Sequence, residues 1–177
     1  MKPVGGKISD EPCLEIVDFS DDLAPAFRAI NAEWIEAMFT LEPNDRAILG
    51  SPRASIIDQG GIIRFVRTSD LGIVGTCALI RIADGVFELT KMGVLEAARG
   101  RKAGEFLLAH VVAEARRMRL DRVYLLTNRK CAAAIHLYEK AGFVHDAAVM
   151  ADFGGRYARC DVAMSLPLTG AGARDAA

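Results

Sequence analysis

The chain has 177 residues, enough for one domain whose single core buries roughly 70% of the unfolded surface. A hydrophobic fraction of 51% with 25% charged residues describes a soluble globular protein and excludes a disordered or fibrous one. The net charge of −1 excludes a nucleic-acid partner held by bulk charge, so any basic patch must be local.

Met1 to Lys7 contain no apolar core, which predicts no secretory signal, and no apolar run approaches the length of a bilayer span, which predicts no membrane partner. Cys13, Cys77, Cys131 and Cys160 are widely spaced, with no C-x-x-C pair. That spacing predicts reduced thiols in a cytoplasmic protein. His110, His136 and His145 make no zinc-ligand spacing with them, so no metal is expected.

Residues 1–12, polar and containing Gly and Pro, read as a flexible N-terminal tail; residues 169–177 read as a flexible C-terminal tail. Between them, 13–168 form one domain. Leu14 to Val17 is a short strand. Ser20-Asp21-Asp22 supplies N-cap chemistry for an amphipathic helix carrying Leu23, Phe27, Ile30, Trp34, Ile35 and Met38, with Pro25 tolerated in its first turn. Glu42-Pro43-Asn44-Asp45 ends that helix and starts a second one toward Ile48. Strand-like runs Ile62–Arg67, Ile73–Ile82 and Val86–Val94, divided by glycine turns, predict an antiparallel meander. A helix over 103–119 is expected to turn Phe106, Leu107, Val111 and Met118 inward. A strand over 121–127, a helix over 131–141 ended by Gly142, and strands over 143–149 and 158–166 complete the domain. Strands followed by strand–helix–strand–helix imply a mixed α/β sheet with one parallel crossover.

The chemistry is concentrated between Glu88 and Phe143. The run Glu88–Val94 leads into Arg99-Gly100-Arg101-Lys102-Ala103-Gly104, where an apolar helix begins. A strand feeding a basic, glycine-containing loop that opens a helix is an anion trap: free N–H groups point at the loop, the dipole favours negative charge, and glycines admit a phosphate to the backbone. Asn128 and Ala134-Ile135-His136-Leu137-Tyr138-Glu139-Lys140-Ala141-Gly142-Phe143 follow.

Together these motifs resemble the GNAT superfamily of acetyl-CoA-dependent N-acetyltransferases, most strongly over Glu88–Phe143 and, by strand order, over roughly residues 14–166. One departure is Lys102, where the family most often has glycine. The resemblance implies an α/β (α+β) fold, a mixed, mostly antiparallel sheet of six to seven strands flanked by about four helices. It also implies acetyl-CoA as co-substrate. Amides from Arg99, Gly100, Arg101, Lys102, Ala103 and Gly104 would cradle the pyrophosphate, and the backbone near Met92 and Val94 would pair with the pantetheine arm. The Met92 amide would polarise the acetyl carbonyl. Asn128 would bond the arm, or else only shape a turn. Glu88 would serve as general base unless it points to solvent. Tyr138 would protonate the departing thiolate unless it is only a core aromatic. Trp34, Phe39, Glu42 and Tyr157 would line the acceptor pocket, with Glu42 or Asp45 drawing in a cationic amine.

The resemblance implies direct acetyl transfer from acetyl-CoA to an amine in a ternary complex. Such an acceptor is a small metabolite, amino acid, polyamine or amine-bearing drug, or a peptide or protein amine; no nucleic acid is expected. Look-alikes are often dimers, so a homodimer is admitted. The alternative is a non-catalytic acyl-CoA-binding sensor on the same fold. A P-loop nucleotide enzyme is excluded because no Gly-Lys-Ser/Thr follows the loop.

Overall fold

The structure, a computed structural model, describes residues 13–168. The two expected tails lie outside the described residues. The elements are β1 (Leu14–Asp18), α1 (Ala24–Met38), α2 (Pro43–Gly50), β2 (Ile62–Thr68), β3 (Gly72–Ala83), β4 (Val86–Val94), α3 (Ala103–Arg117), β5 (Arg122–Thr127), α4 (Ala132–Lys140), β6 (Val144–His145), α5 (Ala147–Phe153) and β7 (Val162–Leu166). A short π-helical segment spans Arg53–Ile57. The seven strands form one sheet in the order β1-β2-β3-β4-β5-β7-β6. Every pairing is antiparallel except β4 with β5, where α3 carries the chain back to begin β5 in the same direction.

Strand alternation divides the core. On one face Val66, Val74, Leu79, Phe87 and Leu89 pack against α3 through Leu107, Leu108, Val111, Val112 and Ala115. On the other, Ile63, Phe65, Ala78 and Ile80 meet Phe27 of α1 and Ile48 and Leu49 of α2. α5 covers Tyr124 and Ala163 through Val149. Phe106 and Met118, expected inward, are instead exposed. The buried stripe of α3 falls at 103, 107, 108, 111, 112 and 115, and both residues lie off it.

Local chemistry explains the helix ends. α2 opens with a capping box: the Glu42 carboxylate accepts from the backbone three residues on, and Asp45 accepts from the Glu42 amide at 3.0 Å. α4 closes in a Schellman motif. Gly142 has φ +102°, its amide donates to the Glu139 carbonyl, and the Phe143 amide donates to the Tyr138 carbonyl, each at 3.0 Å. The accompanying apolar contact is the edge-on pair Tyr138–Phe143, with ring centroids 6.0 Å apart.

The expected strand over 143–149 is a two-residue strand followed by α5. Asp146 decides this, its carboxylate accepting from the amides of Ala148 and Val149 at 3.0 and 3.1 Å and so starting a helix. The last strand begins at Val162 rather than 158, because Asp161 is engaged by the amide and guanidinium of Arg129.

Candidate active site

β4 and β5 pair only from Val86–Leu89 to Arg122–Leu125. Beyond Leu89, β4 carries a bulge against β3, where Thr76 and Ala78 face Gly93 and Thr90. Lys91 sits inside the bulge with φ +51°. An extra residue bends a strand and sharpens its twist, so Met92–Val94 turns away from β5. The wedge opens into a cavity of about 730 Å³, within the range of ligand sites.

Two helix N-termini border one end of this cavity. Arg99, Gly100, Lys102, Ala103, Gly104 and Glu105 line it from α3, and Lys130 to Ala134 line it from α4. The first α-helical bond of α3 runs from the Phe106 amide to the Lys102 carbonyl at 2.9 Å, so the amides of Ala103, Gly104 and Glu105 precede the helical ladder. Gly100 has φ +79° and needs glycine. Lys102 occupies the N-cap at φ +59°, ψ +13°, where a non-glycine residue costs roughly 1–2 kcal/mol. Where the sequence departs from glycine, the structure therefore holds a strained lysine in left-handed backbone. Among the described residues three non-glycine positions have positive φ, and two of them, Lys91 and Lys102, line the cavity. Arg101 does not: its guanidinium bonds Asp70 at 2.5 Å.

The middle of the cavity is walled by Leu89, Thr90, Met92, Gly93, Val94, Leu137 and Tyr138. A Cβ on Gly93 would come within 2.5 Å of Trp34 Cδ1, so the indole rests directly on the β4 backbone. Its N–H donates to Asn31 Oδ1 at 3.1 Å, and the buried Asn31 amide donates in turn to the Phe27 carbonyl at 2.9 Å. Tyr138 is buried and held by the α4 terminus, and burial pushes its phenol well above the ordinary range. Asn128 lines the cavity while also shaping a turn. Its Oδ1 accepts from the Lys130 amide at 2.9 Å, and its Nδ2 donates to the Arg159 carbonyl at 2.6 Å.

The other end is lined by Trp34, Met38, Phe39, Lys91, Tyr157, Arg159 and Cys160. Asp45, fully buried, accepts both Arg159 Nη atoms at 2.6 and 2.9 Å and Lys91 Nζ at 2.7 Å. Burial works against the Asp45 charge, but Arg159 and Lys91 outweigh it and hold the carboxyl at about 2. Lys91 also donates to the Tyr157 hydroxyl at 3.2 Å. The Arg159 guanidinium lies 5.0 Å from the Tyr157 ring centroid and 5.9 Å from that of Phe39.

Glu42, expected in the pocket, is not on the wall. Its carboxylate accepts from the amides of Ala158 and Arg159 at 2.9 and 3.2 Å and from Arg159 Nη1 at 3.2 Å. With Asp45 equally engaged, neither acid is presented to an incoming cation.

Glu88 neither faces solvent nor touches the cavity. It is 1% exposed, opposite Tyr124 on β5, with Arg156 Nε at 3.0 Å but off the line of a hydrogen bond. Burial raises its pKa, an effect that Arg156, Lys91 and the Thr90 hydroxyl partly offset. Neither Glu88 carboxylate oxygen has a hydrogen-bond partner among the described residues.

Lys91 and Arg159 were not singled out from the sequence. Lys91 offers one local signal, a charge inside an otherwise apolar strand; Arg159 offers none, since its partners lie 114 and 117 residues away. Among the described residues no cluster of His, Cys, Asp and Glu is arranged to hold a metal, and no helix is long and apolar enough to cross a membrane.

The acetyltransferase (GNAT) domain model matches residues 61–145, from the turn before β2 through β6. The amino-acid acetyltransferase of Ralstonia nicotianae is 36% identical over 116 residues, which cover 64% of this chain and 23% of that protein. This chain therefore spans less than a quarter of that relative's length. A GNAT-family acetyltransferase from Staphylococcus aureus has the same fold, with a TM-score of 0.78 at 21% identity over 88% of this chain and 99% of that one. So does yncA of Salmonella typhimurium, solved with its cofactor acetyl-CoA, with a TM-score of 0.70 at 22% identity over 93% and 99%. Residues 61–145 are thus similar to the acetyltransferase (GNAT) domain, and the chain shares the fold of GNAT-family structures.

Proposed function

We propose that the protein is an acyltransferase that moves the acetyl group of acetyl-CoA directly to an amine in a ternary complex. One observation carries this reading: a single cavity joins helix-terminal amides, suited to a diphosphate, to the freed edge of a bulged strand, suited to an amide-rich arm.

The amides of Gly100, Lys102, Ala103 and Gly104 receive the pyrophosphate, with Arg99 and Lys102 adding positive charge; the Arg99 and Arg101 amides donate to the carbonyls of Glu96 and Ala98, and Arg101, tied to Asp70, lies off the cavity wall. Gly104 supports this fit. A Cβ there would meet only ordinary contacts at 3.4 Å and beyond, so packing does not demand glycine, and close approach of a ligand does. The backbone at Met92 and Val94 pairs with the pantetheine arm as an added strand. Asn128 steadies the loop beside it.

The Met92 amide donates to the thioester carbonyl, and this bond strengthens as oxyanion character grows. The amine must attack neutral. Its nitrogen forms the C–N bond, the C–S bond breaks, and one proton leaves the nitrogen as the thiolate gains one. Tyr138, protonated at all working pH values because burial raises its pKa, donates to the sulfur. Glu88 does not reach the cavity itself, so it accepts the proton through a relay of intervening groups. Its raised pKa brings it closer to a working base at neutral pH. The four free cysteines support a reducing, cytoplasmic setting.

Calorimetry with coenzyme A, followed by thiol release with a panel of amines, tests the reading. Heat of binding together with amine-dependent release is expected. Absence of heat overturns it, and protection by acetyl-CoA without release on any amine favours the sensor.

A further inference from the structure

We propose that the acceptor bears a carboxylate close to its amine, and that Arg159 and Lys91, both positioned by Asp45, receive that carboxylate. The inference rests on the acetyl-transfer reading and names its substrate class.

The cavity wall beyond the splay is cationic and aromatic. Lys91 and Arg159 face it together with Trp34, Phe39 and Tyr157. Across the whole lining the one carboxylate is Glu105, which belongs to the opposite end and is paired with Lys140 at 2.8 Å. Asp45 and Glu42 balance the two cations from behind the wall. A polyamine entering here meets the Arg159 guanidinium, backed by the buried Lys91 ammonium, and no acid.

The two cations keep donors to spare. Arg159 spends Nη1 on Glu42 and Asp45 and one Nη2 proton on Asp45. Its Nε and second Nη2 proton have no hydrogen-bond partner among the described residues. Lys91 uses two of three ammonium protons, on Asp45 and Tyr157. Asp45 grips the guanidinium bidentately, and Phe39 and Tyr157 lie on its flanks, so the fork is held as a planar recognition edge.

Backbone strain supplies an independent observation. Lys91 keeps a left-handed backbone inside a strand, where glycine or asparagine would cost less, and buries its ammonium as well. A packing role requires neither feature.

The experiment compares thiol release from acetyl-CoA with free amino acids, the same amino acids as C-terminal amides, and linear polyamines, each with wild type and Arg159→Gln. The amides carry the less basic amine, which favours them chemically, so a preference for the free acids must come from the site. We expect kcat/KM for the acids to exceed that for their amides by at least about tenfold. Arg159→Gln should erase the preference by raising KM for the acids far more than for the amides. If that variant fails to fold, Arg159→Lys should keep part of the preference.

Equal rates on acids and amides, preference for polyamines, or equal loss on both substrates in Arg159→Gln overturns the proposal. Release from amides or polyamines alone sinks only the acceptor assignment. Absence of coenzyme A binding sinks the acetyl-transfer reading beneath it, and binding without release from any of these amines counts against both.

Discussion

The two ends of the cavity are built by different means. The α3 end is a backbone construction: six consecutive residues, two left-handed φ angles and the first amides of a helix. The far end is a side-chain construction, in which Asp45 from α2, Lys91 from β4 and Arg159 from the loop before β7 meet although they stand far apart in the chain. A backbone site survives most substitutions, since amides belong to every residue but proline. A side-chain site stands or falls with each member. Substitutions at the far end should therefore disturb folding and acceptor choice, and those at the α3 end should disturb coenzyme binding alone.

The largest effect is expected from Asp45→Asn. Removing the acid leaves two buried cations without their shared partner, which should cost about 3–5 kcal/mol in urea unfolding. Acid titration sharpens the point. The folded pKa of about 2 lies below the unfolded value, so the contribution is fully present above the unfolded pKa and is lost as pH falls toward 2. Wild type should lose about 2 kcal/mol through that window in excess of Asp45→Asn; parallel acid curves would mean that Asp45 anchors nothing.

Tyr138→Phe should lower kcat by about a hundredfold while barely changing coenzyme A affinity. Equal loss of both would make Tyr138 a packing residue beside Phe143.

Glu88→Gln divides activity from stability. The raised pKa means that charge on Glu88 opposes folding increasingly as pH rises from the unfolded value through the folded one. The variant should be no less stable than wild type at pH 8, while its rate falls roughly tenfold at neutral pH and recovers partly as the amine deprotonates. A loss of stability with an unchanged pH profile would remove Glu88 from the reaction.

The smallest effect belongs to Lys102→Gly. Relief of the left-handed strain and the entropy cost of glycine offset each other, leaving stability within about 1 kcal/mol of wild type. Coenzyme A should bind a few-fold more weakly at low salt, and a change confined to the acceptor KM would blur the distinction between the two ends.

This division also explains what could be read in advance. The loop Arg99–Gly104, the strand before it and the helix after it are contiguous, so their meaning survives in the order of residues. Gly142 marked the end of α4 for the same reason. Asp146 is local too, but the stretch around it alternates like a strand, which hides both its role as a helix start and α5 from a reading of the sequence. Glu88 was legible as an acid inside an apolar strand. Its burial beside Arg156, away from the cavity, was not, because the side of the sheet covered by α5 is a property of packing.

Sequence by itself determined most of the elements, the crossover between β4 and β5, and the basic glycine loop that enters α3, since each depends on periodicity, turn chemistry or neighbouring amides. Tertiary structure alone decided that Glu42 and Asp45 turn inward to hold Arg159 and Lys91, and that those cations rather than the acids line the far end of the cavity. That outcome rests on charges meeting across more than a hundred residues of chain in the case of Arg159, where the loss of hydration on burial selects partners that no local pattern records.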